Sequence, residues 1–130
     1  MTTTLSPQTL KLDLNVKQGA GADVVLTVVD AVGQPITSPA GYTIRAQIRR
    51  TSLGPVLFEW NDTPSSAQGS AVLAYDSGTA ASTVTLSFTD EHSAAWGWRL
   101  AQWDVYLTNP LGQSTCLAAG VVRVEPAVTH

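Results

Sequence analysis

The residues best equipped for chemistry lie together at Asp90-Glu91-His92-Ser93: two carboxylates, an imidazole and a hydroxyl in four consecutive positions. Such groups do acid–base or nucleophilic work only when their side chains converge within hydrogen-bond reach. In a helical turn, neighbours in sequence point about a hundred degrees apart, so adjacency here argues against convergence. The residues read better as the start of a short helix over residues 89–96. Thr89 stands at the cap, Asp90 and Glu91 sit in the first turn near the positive helix end, and Gly97 stops it. No catalytic residue is assigned. A metal site lacks material too, because the histidines are His92 and His130, the single cysteine is Cys116, and the acidic residues follow no calcium-loop spacing. The chain carries no Gly-rich phosphate loop and no Gly-x-Ser-x-Gly elbow. No metal and no cofactor is expected, and nothing recommends an enzyme.

What remains is recognition. Trp60 and Trp103 share a strand face with Val56, Phe58, Val105 and Leu107 and are expected in the core. Trp96 and Trp98 flank Gly97 in a connecting segment, which makes them candidates for exposed contacts that stack on a sugar ring or fill a partner's pocket. The one basic cluster, Arg45, Arg49 and Arg50, lies mostly on the outward side of a predicted strand and suits a solvated face or a protein contact better than phosphate. The candidate partner contacts are therefore Trp96, Trp98, Arg45 and Arg49.

The elements that must position these side chains are strands. Leu10, Leu12, Leu14 and Val16 alternate with polar residues, the period of a strand with one face buried. Residues 23–30 are a dense β-branched run with Val24, Leu26 and Val28 on one face and Val25, Thr27 and Val29 on the other. The cleanest alternation spans residues 42–50, where Tyr42, Ile44, Ala46 and Ile48 oppose Thr43, Arg45, Gln47 and Arg49. Further strands are expected at 56–60, 71–75, 82–88, 100–108 and 114–125, with Gly120 bending or bulging the last. Turn signals separate them: Asp30 to Pro35, Ser52-Leu53-Gly54-Pro55, Asp76-Ser77-Gly78-Thr79 and Asn109-Pro110-Leu111-Gly112. About eight short strands without strand-helix alternation predict an all-β fold, an antiparallel sandwich ahead of a closed barrel. Residues 1–9 are Thr-rich without periodicity and read as a flexible arm, leaving residues 10–130 as a single domain.

Composition narrows the function classes. A chain of 130 residues suits one domain with one core. Only 13% of residues are charged and the net charge is −3, so no general positive field draws in nucleic acid or anionic lipid. The lone cysteine allows no disulfide within the chain, which fits synthesis in the cytosol. The first residues lack the basic start and apolar run of a secretory signal, and no long apolar stretch occurs, so neither export nor membrane insertion is expected.

Several motifs also occur in a familiar order. Asp30-x-x-Gly33-x-Pro35, residues 41–49 (GYTIRAQIR) and Gly54-Pro55-Val56-Leu57 are followed by Thr85-Leu86-Ser87 and a short helical turn. Trp103-Asp104-Val105-Tyr106-Leu107, Gly112 and residues 120–129 (GVVRVEPAVT) complete the series. This order resembles the small immunoglobulin-like virion proteins of tailed bacteriophages, similar to the N-terminal domain of baseplate upper proteins. The resemblance covers nearly the whole chain beyond residue 9. It implies a non-catalytic immunoglobulin-like β-sandwich made in the host cytoplasm and located in the virion, where it joins other virion proteins and copies of itself in the tail or baseplate. No attached fibre, coiled-coil or receptor-binding domain accompanies it, which argues against direct host recognition. A capsid decoration protein of the same particle is the alternative within this class. A carbohydrate-binding module using exposed tryptophans is the alternative from another.

Overall fold

A computed structural model describes residues 10–30, 32–51 and 53–126; the expected N-terminal arm, residues 1–9, lies outside them. Among the described residues the chain forms β1 (Leu10–Lys11), β2 (Leu14–Lys17), β3 (Ala22–Val28), β4 (Thr43–Arg49) and β5 (Val56–Asn61). It continues through β6 (Gly69–Asp76), β7 (Ala81–Phe88), α1 (Asp90–Ala94), β8 (Leu100–Thr108) and β9 (Ser114–Glu125). The protein is all-β, as expected, with a single short helix between β7 and β8.

The strands join into one mixed sheet in the order β1-β9-β8-β4-β5-β6-β7-β3, with β2 also on β9. The expected antiparallel pairing holds at most junctions, with two exceptions. β1 and β2 run parallel to β9, and β5 runs parallel to β6 over only Trp60↔Gly69 and Asn61↔Ser70. At the second junction the end of β5 overlaps the start of β6, so the connecting loop need not cross back as a full parallel pair requires. The sheet curls so that its inward residues meet in one core. Ile44, Ala46 and Ile48 of β4, Phe58 and Trp60 of β5, Val84, Leu86 and Phe88 of β7, and Trp103, Val105 and Leu107 of β8 are all buried in the same cluster. Alternation at a period of two places these residues inward and their polar neighbours outward.

The first strand departs from the expectation of one continuous run. Leu12 turns its carbonyl away from the ladder and accepts the indole N–H of Trp103 at 2.8 Å. Asp13 then takes the place of backbone, its Oδ1 accepting the amide of Val121 at 3.0 Å. The chain crosses so near β9 at this point that a Cβ on Gly120 would lie 2.1 Å from the Leu12 carbonyl oxygen. Gly120 is thus required by close approach. The bulge expected there falls elsewhere in β9, where pairing passes from Val105↔Ala118 to Tyr106↔Cys116 and leaves Leu117 extra.

Ser82 closes the core at one end. Its buried hydroxyl donates to the Val28 carbonyl at 2.6 Å and accepts from the Ile36 amide at 3.0 Å, tying the loop after β3 to β7.

Candidate functional site

The polar outer face of β5, β4, β8 and β9 is built from three cross-strand rows. Register aligns Glu59, Gln47, Asp104 and Ala119; Asn61, Arg45, Tyr106 and Cys116; and Val56, Arg49, Gln102 and Val121. Alternation turns most of these residues outward. Val56 and Cys116 instead have the parity of the core residues Phe58 and Ala118 and join the rows only through the register shifts of β5 against β4 and of β9 against β8, so Val56 leaves the core face its alternation indicated and is 41% exposed. Sheet twist leaves a shallow depression of about 610 Å³ over Arg45, Gln47, Arg49, Asp104, Tyr106 and neighbouring hydroxyls.

Glu59 organises this face. Its Oε1 accepts from Arg45 Nε at 3.1 Å and Gln47 Nε2 at 2.7 Å, and its Oε2 from Asn61 Nδ2 at 2.9 Å and Gln68 Nε2 at 3.2 Å. Gln47 passes the order on, its Oε1 accepting from Arg49 Nη2 at 2.8 Å, while Arg49 Nη1 donates to the Gly54 carbonyl. Burial pushes the Glu59 carboxyl up, but the hydrogen bonds from Gln47, Asn61 and Arg45, with the charge of Arg45, outweigh it and leave the group below its ordinary value. Arg45 is braced at Nε with its side chain 69% exposed, so the outer guanidinium edge faces solvent as the sequence suggested. Arg49, the second expected contact, is half-buried and tied into the network; it steadies the depression more than it reaches outward.

Asp104 stands in the middle of the face. No hydrogen bond from a described residue reaches its carboxylate, and burial raises its pKa against the opposing pull of Arg49. Beside it the Tyr106 phenol is pushed up by Cys116 and Asp104 together with burial. Guanidinium, carboxamide, carboxylate and phenol are thereby held on rigid strands around one hollow. Such a surface can receive a carboxylate over Arg45 and a hydrogen-bond donor over Asp104.

The expectation for Trp96 and Trp98 is corrected. Both are buried, at 4% and 7% exposure. The connection after α1 folds inward, and Trp96 packs on Phe58 and Phe88 with ring centroids 5.0 Å away in each case. Trp98 stacks on Trp96 at 5.2 Å and 26°. The indoles have more apolar area to bury than a loop could leave in water, so they seal the core beneath α1. Trp60 and Trp103 are core residues, as expected.

Asp90-Glu91-His92-Ser93 forms the helix start expected of it. Thr89 Oγ1 accepts the His92 amide at 3.2 Å, and His92 Nδ1 accepts the Thr89 amide at 3.1 Å, an imidazole in the place Glu or Gln usually holds in a capping box. With Nδ1 accepting, the ring proton lies on Nε2 and is donated to the Ser66 carbonyl at 2.9 Å. Ser93 turns the other way, its hydroxyl donating to Ala20 O and accepting from the Gly19 amide. The side chains of Asp90, His92 and Ser93 are spent on separate structural bonds, Asp90 Oδ1 accepting the Glu91 amide at 2.9 Å.

A second surface went unnoticed in the sequence. The loops after β3 and β8 share one construction, Asp30-x-Val32-Gly33-Gln34 and Asn109-x-Leu111-Gly112-Gln113. In each, a side-chain oxygen of the first residue accepts two amides at 2.9–3.0 Å, and the glycine has φ +83°. Both loops hold an apolar tip in water, Val32 at 79% and Leu111 at 83% exposure, beside a cleft floored by Ile36, Tyr42 and Leu107. The repeated Asp/Asn-x-x-Gly-Gln pattern was the available signal.

No family model and no curated protein matches the chain. Among solved structures, one from work on "multimeric cell-adhesive interactions of VGSC beta subunits" is similar to 98% of this chain and 100% of that one. The TM-score is 0.47 and the sequence identity 9%.

Proposed function

We propose that this chain is a non-enzymatic assembly module that docks on another protein through the polar face of β5, β4, β8 and β9. The observation that carries this reading is the depression over Arg45, Gln47, Arg49, Asp104 and Tyr106, whose Arg45 and Gln47 are braced by Glu59. There Arg45 presents an outward guanidinium, and Asp104 is half-buried without a hydrogen bond from any described residue to its carboxylate. Leaving a carboxylate desolvated and unbonded costs stability, and an incoming donor recovers that cost on binding.

The particle in which this happens is, in our reading, a tailed bacteriophage virion, at the tail or baseplate. The support is the order of sequence motifs, from Asp30-x-x-Gly33-x-Pro35 through residues 120–129, that resembles immunoglobulin-like virion proteins. Capsid decoration is the alternative site in the same particle, and copy number by mass separates a shell location from a tail ring. The carbohydrate-binding alternative loses its residues, since Trp96 and Trp98 are buried.

Two measurements test the proposal. The protein should co-purify with intact phage particles and cross-link there to a neighbouring virion protein. Arg45→Glu and Asp104→Lys should fold normally yet fail to incorporate. Absence from every particle, or undiminished incorporation of both variants, would overturn it.

A further inference from the structure

The two ends of the sheet are treated differently. At one end, β1 and β2 are short, broken at Leu12 and Asp13, and carry exposed Lys11, Asp13 and Lys17. These are the devices by which a sheet edge is kept from pairing with another chain. At the other end, β3 is seven residues long, is paired only with β7 among the described residues, and carries no charge, proline or bulge between Val24 and Val28. The outer face behind it is neutral as well. Cross-strand rows align Val25, Thr85 and Val72, then Thr27, Thr83 and Ala74, a grid of methyls and hydroxyls without one ionic group. Val25 is 60% exposed and Val29 45%.

We infer that the free edge of β3 pairs antiparallel with β3 of a second copy, about a two-fold axis at Thr27. In an antiparallel pair, directly opposed residues point to the same side, so a symmetric register that keeps outer face with outer face must centre on a residue. Centring on Thr27 sets Thr27 against its own copy and Val25 against Val29 in both directions, so each exposed valine on the edge gains an apolar partner. Residues 25–29, which run one position past the end of β3, read Val-x-Thr-x-Val from either end, the self-complementarity that a two-fold interface requires. No like charges face each other across the central pairs. A partner of different sequence would need something to recognise, and between Val24 and Val28 this edge offers only backbone, methyls and one hydroxyl, with the exposed Asp23 outside the central pairs. Beside β3, Leu10 and Leu117 line a groove that gives the arriving strand further apolar cover. The pairing joins the β6-β7-β3 end of one sheet to the same end of its copy.

The test is the oligomeric state of the full chain by sedimentation across a concentration series. The wild type should self-associate, and Thr27→Val should as well. Thr27→Lys, which sets two like charges directly opposed at the axis, should weaken association by at least about tenfold while leaving the circular dichroism spectrum unchanged. In a Cys116→Ser background, a short bis-maleimide should join copies of Thr27→Cys and spare copies of Leu53→Cys. A chain that stays monomeric at every concentration overturns the proposal. So does association that survives Thr27→Lys, the result expected if residues 1–9 or the polar face made the contact. Because Arg45 lies on β4, separated from β3 in the sheet by β5, β6 and β7, Arg45→Glu should leave self-association intact, so failure of the docking reading and failure of this one can be told apart.

Discussion

Glu59 accepts four hydrogen bonds from side chains on β4, on β5 and in the loop that follows, so the order of the whole polar face passes through one carboxylate. Its pKa is lower in the folded protein than the ordinary 4.5, so the stability it contributes is fully present above that value and lost as pH falls through the depressed one. Glu59→Gln should therefore cost about 2 kcal/mol at neutral pH, from charge-assisted bonds lost and donors left facing donors. The difference from wild type should shrink in denaturant titrations at acidic pH. Asp104 has the opposite sign. Its pKa is raised from 3.8, so its ionised form detracts from stability at neutral pH, and the penalty fades as pH falls through the raised value and is gone below 3.8. Asp104→Asn should raise the unfolding midpoint at neutral pH, lose that advantage in acid, and weaken docking. A fall in stability would show that the carboxylate has a structural partner and would remove the reason to place it in a binding face. Arg45 and Arg49 were legible as outward residues of an alternating strand. Asp104 was not, because nothing in sequence says that no described residue donates a hydrogen bond to its carboxylate.

Among the elements, β8 and β9 run over the residues their alternation indicated, and β4 is one residue shorter at each end than expected. In β4 and β8 one face lies in the core along the whole length, so periodicity and burial agree, whereas in β9 the bulge at Leu117 interrupts the alternation. The β1–β2 segment has the same alternation but breaks, because Trp103 claims the Leu12 carbonyl from β8. That bond spans 91 positions in sequence and leaves no local signal. Gly120→Ala should push this segment off β9, cost about 3 kcal/mol, and expose the Trp103 N–H to exchange. Unchanged exchange would show that the close approach is not required. The helix start, by contrast, is local and readable. Thr89→Ala should cost about 1 kcal/mol in thermal unfolding, since it removes the cap from the His92 amide.

At the scale of the molecule, one core cluster draws on both halves of the curled sheet and on the segment after α1. Unfolding should therefore be a single transition, with tryptophan fluorescence and far-ultraviolet circular dichroism coinciding. Native emission should be blue-shifted and resist acrylamide, because all four tryptophans are buried; ready quenching would contradict the packing of Trp96 on Phe58 and Phe88. Sequence by itself determined the all-β class, most strand positions, the helix cap and the outward face of Arg45, since each depends on periodicity or on residues a few positions apart. The curl of the sheet, the parallel joints, the burial of Trp96 and Trp98, the half-buried setting of Asp104 and the place of β3 at the end of the sheet among the described residues were decided only in three dimensions. Each depends on which distant strand lies alongside, and a side chain's neighbours across a sheet are set by register and closure, which no local pattern encodes.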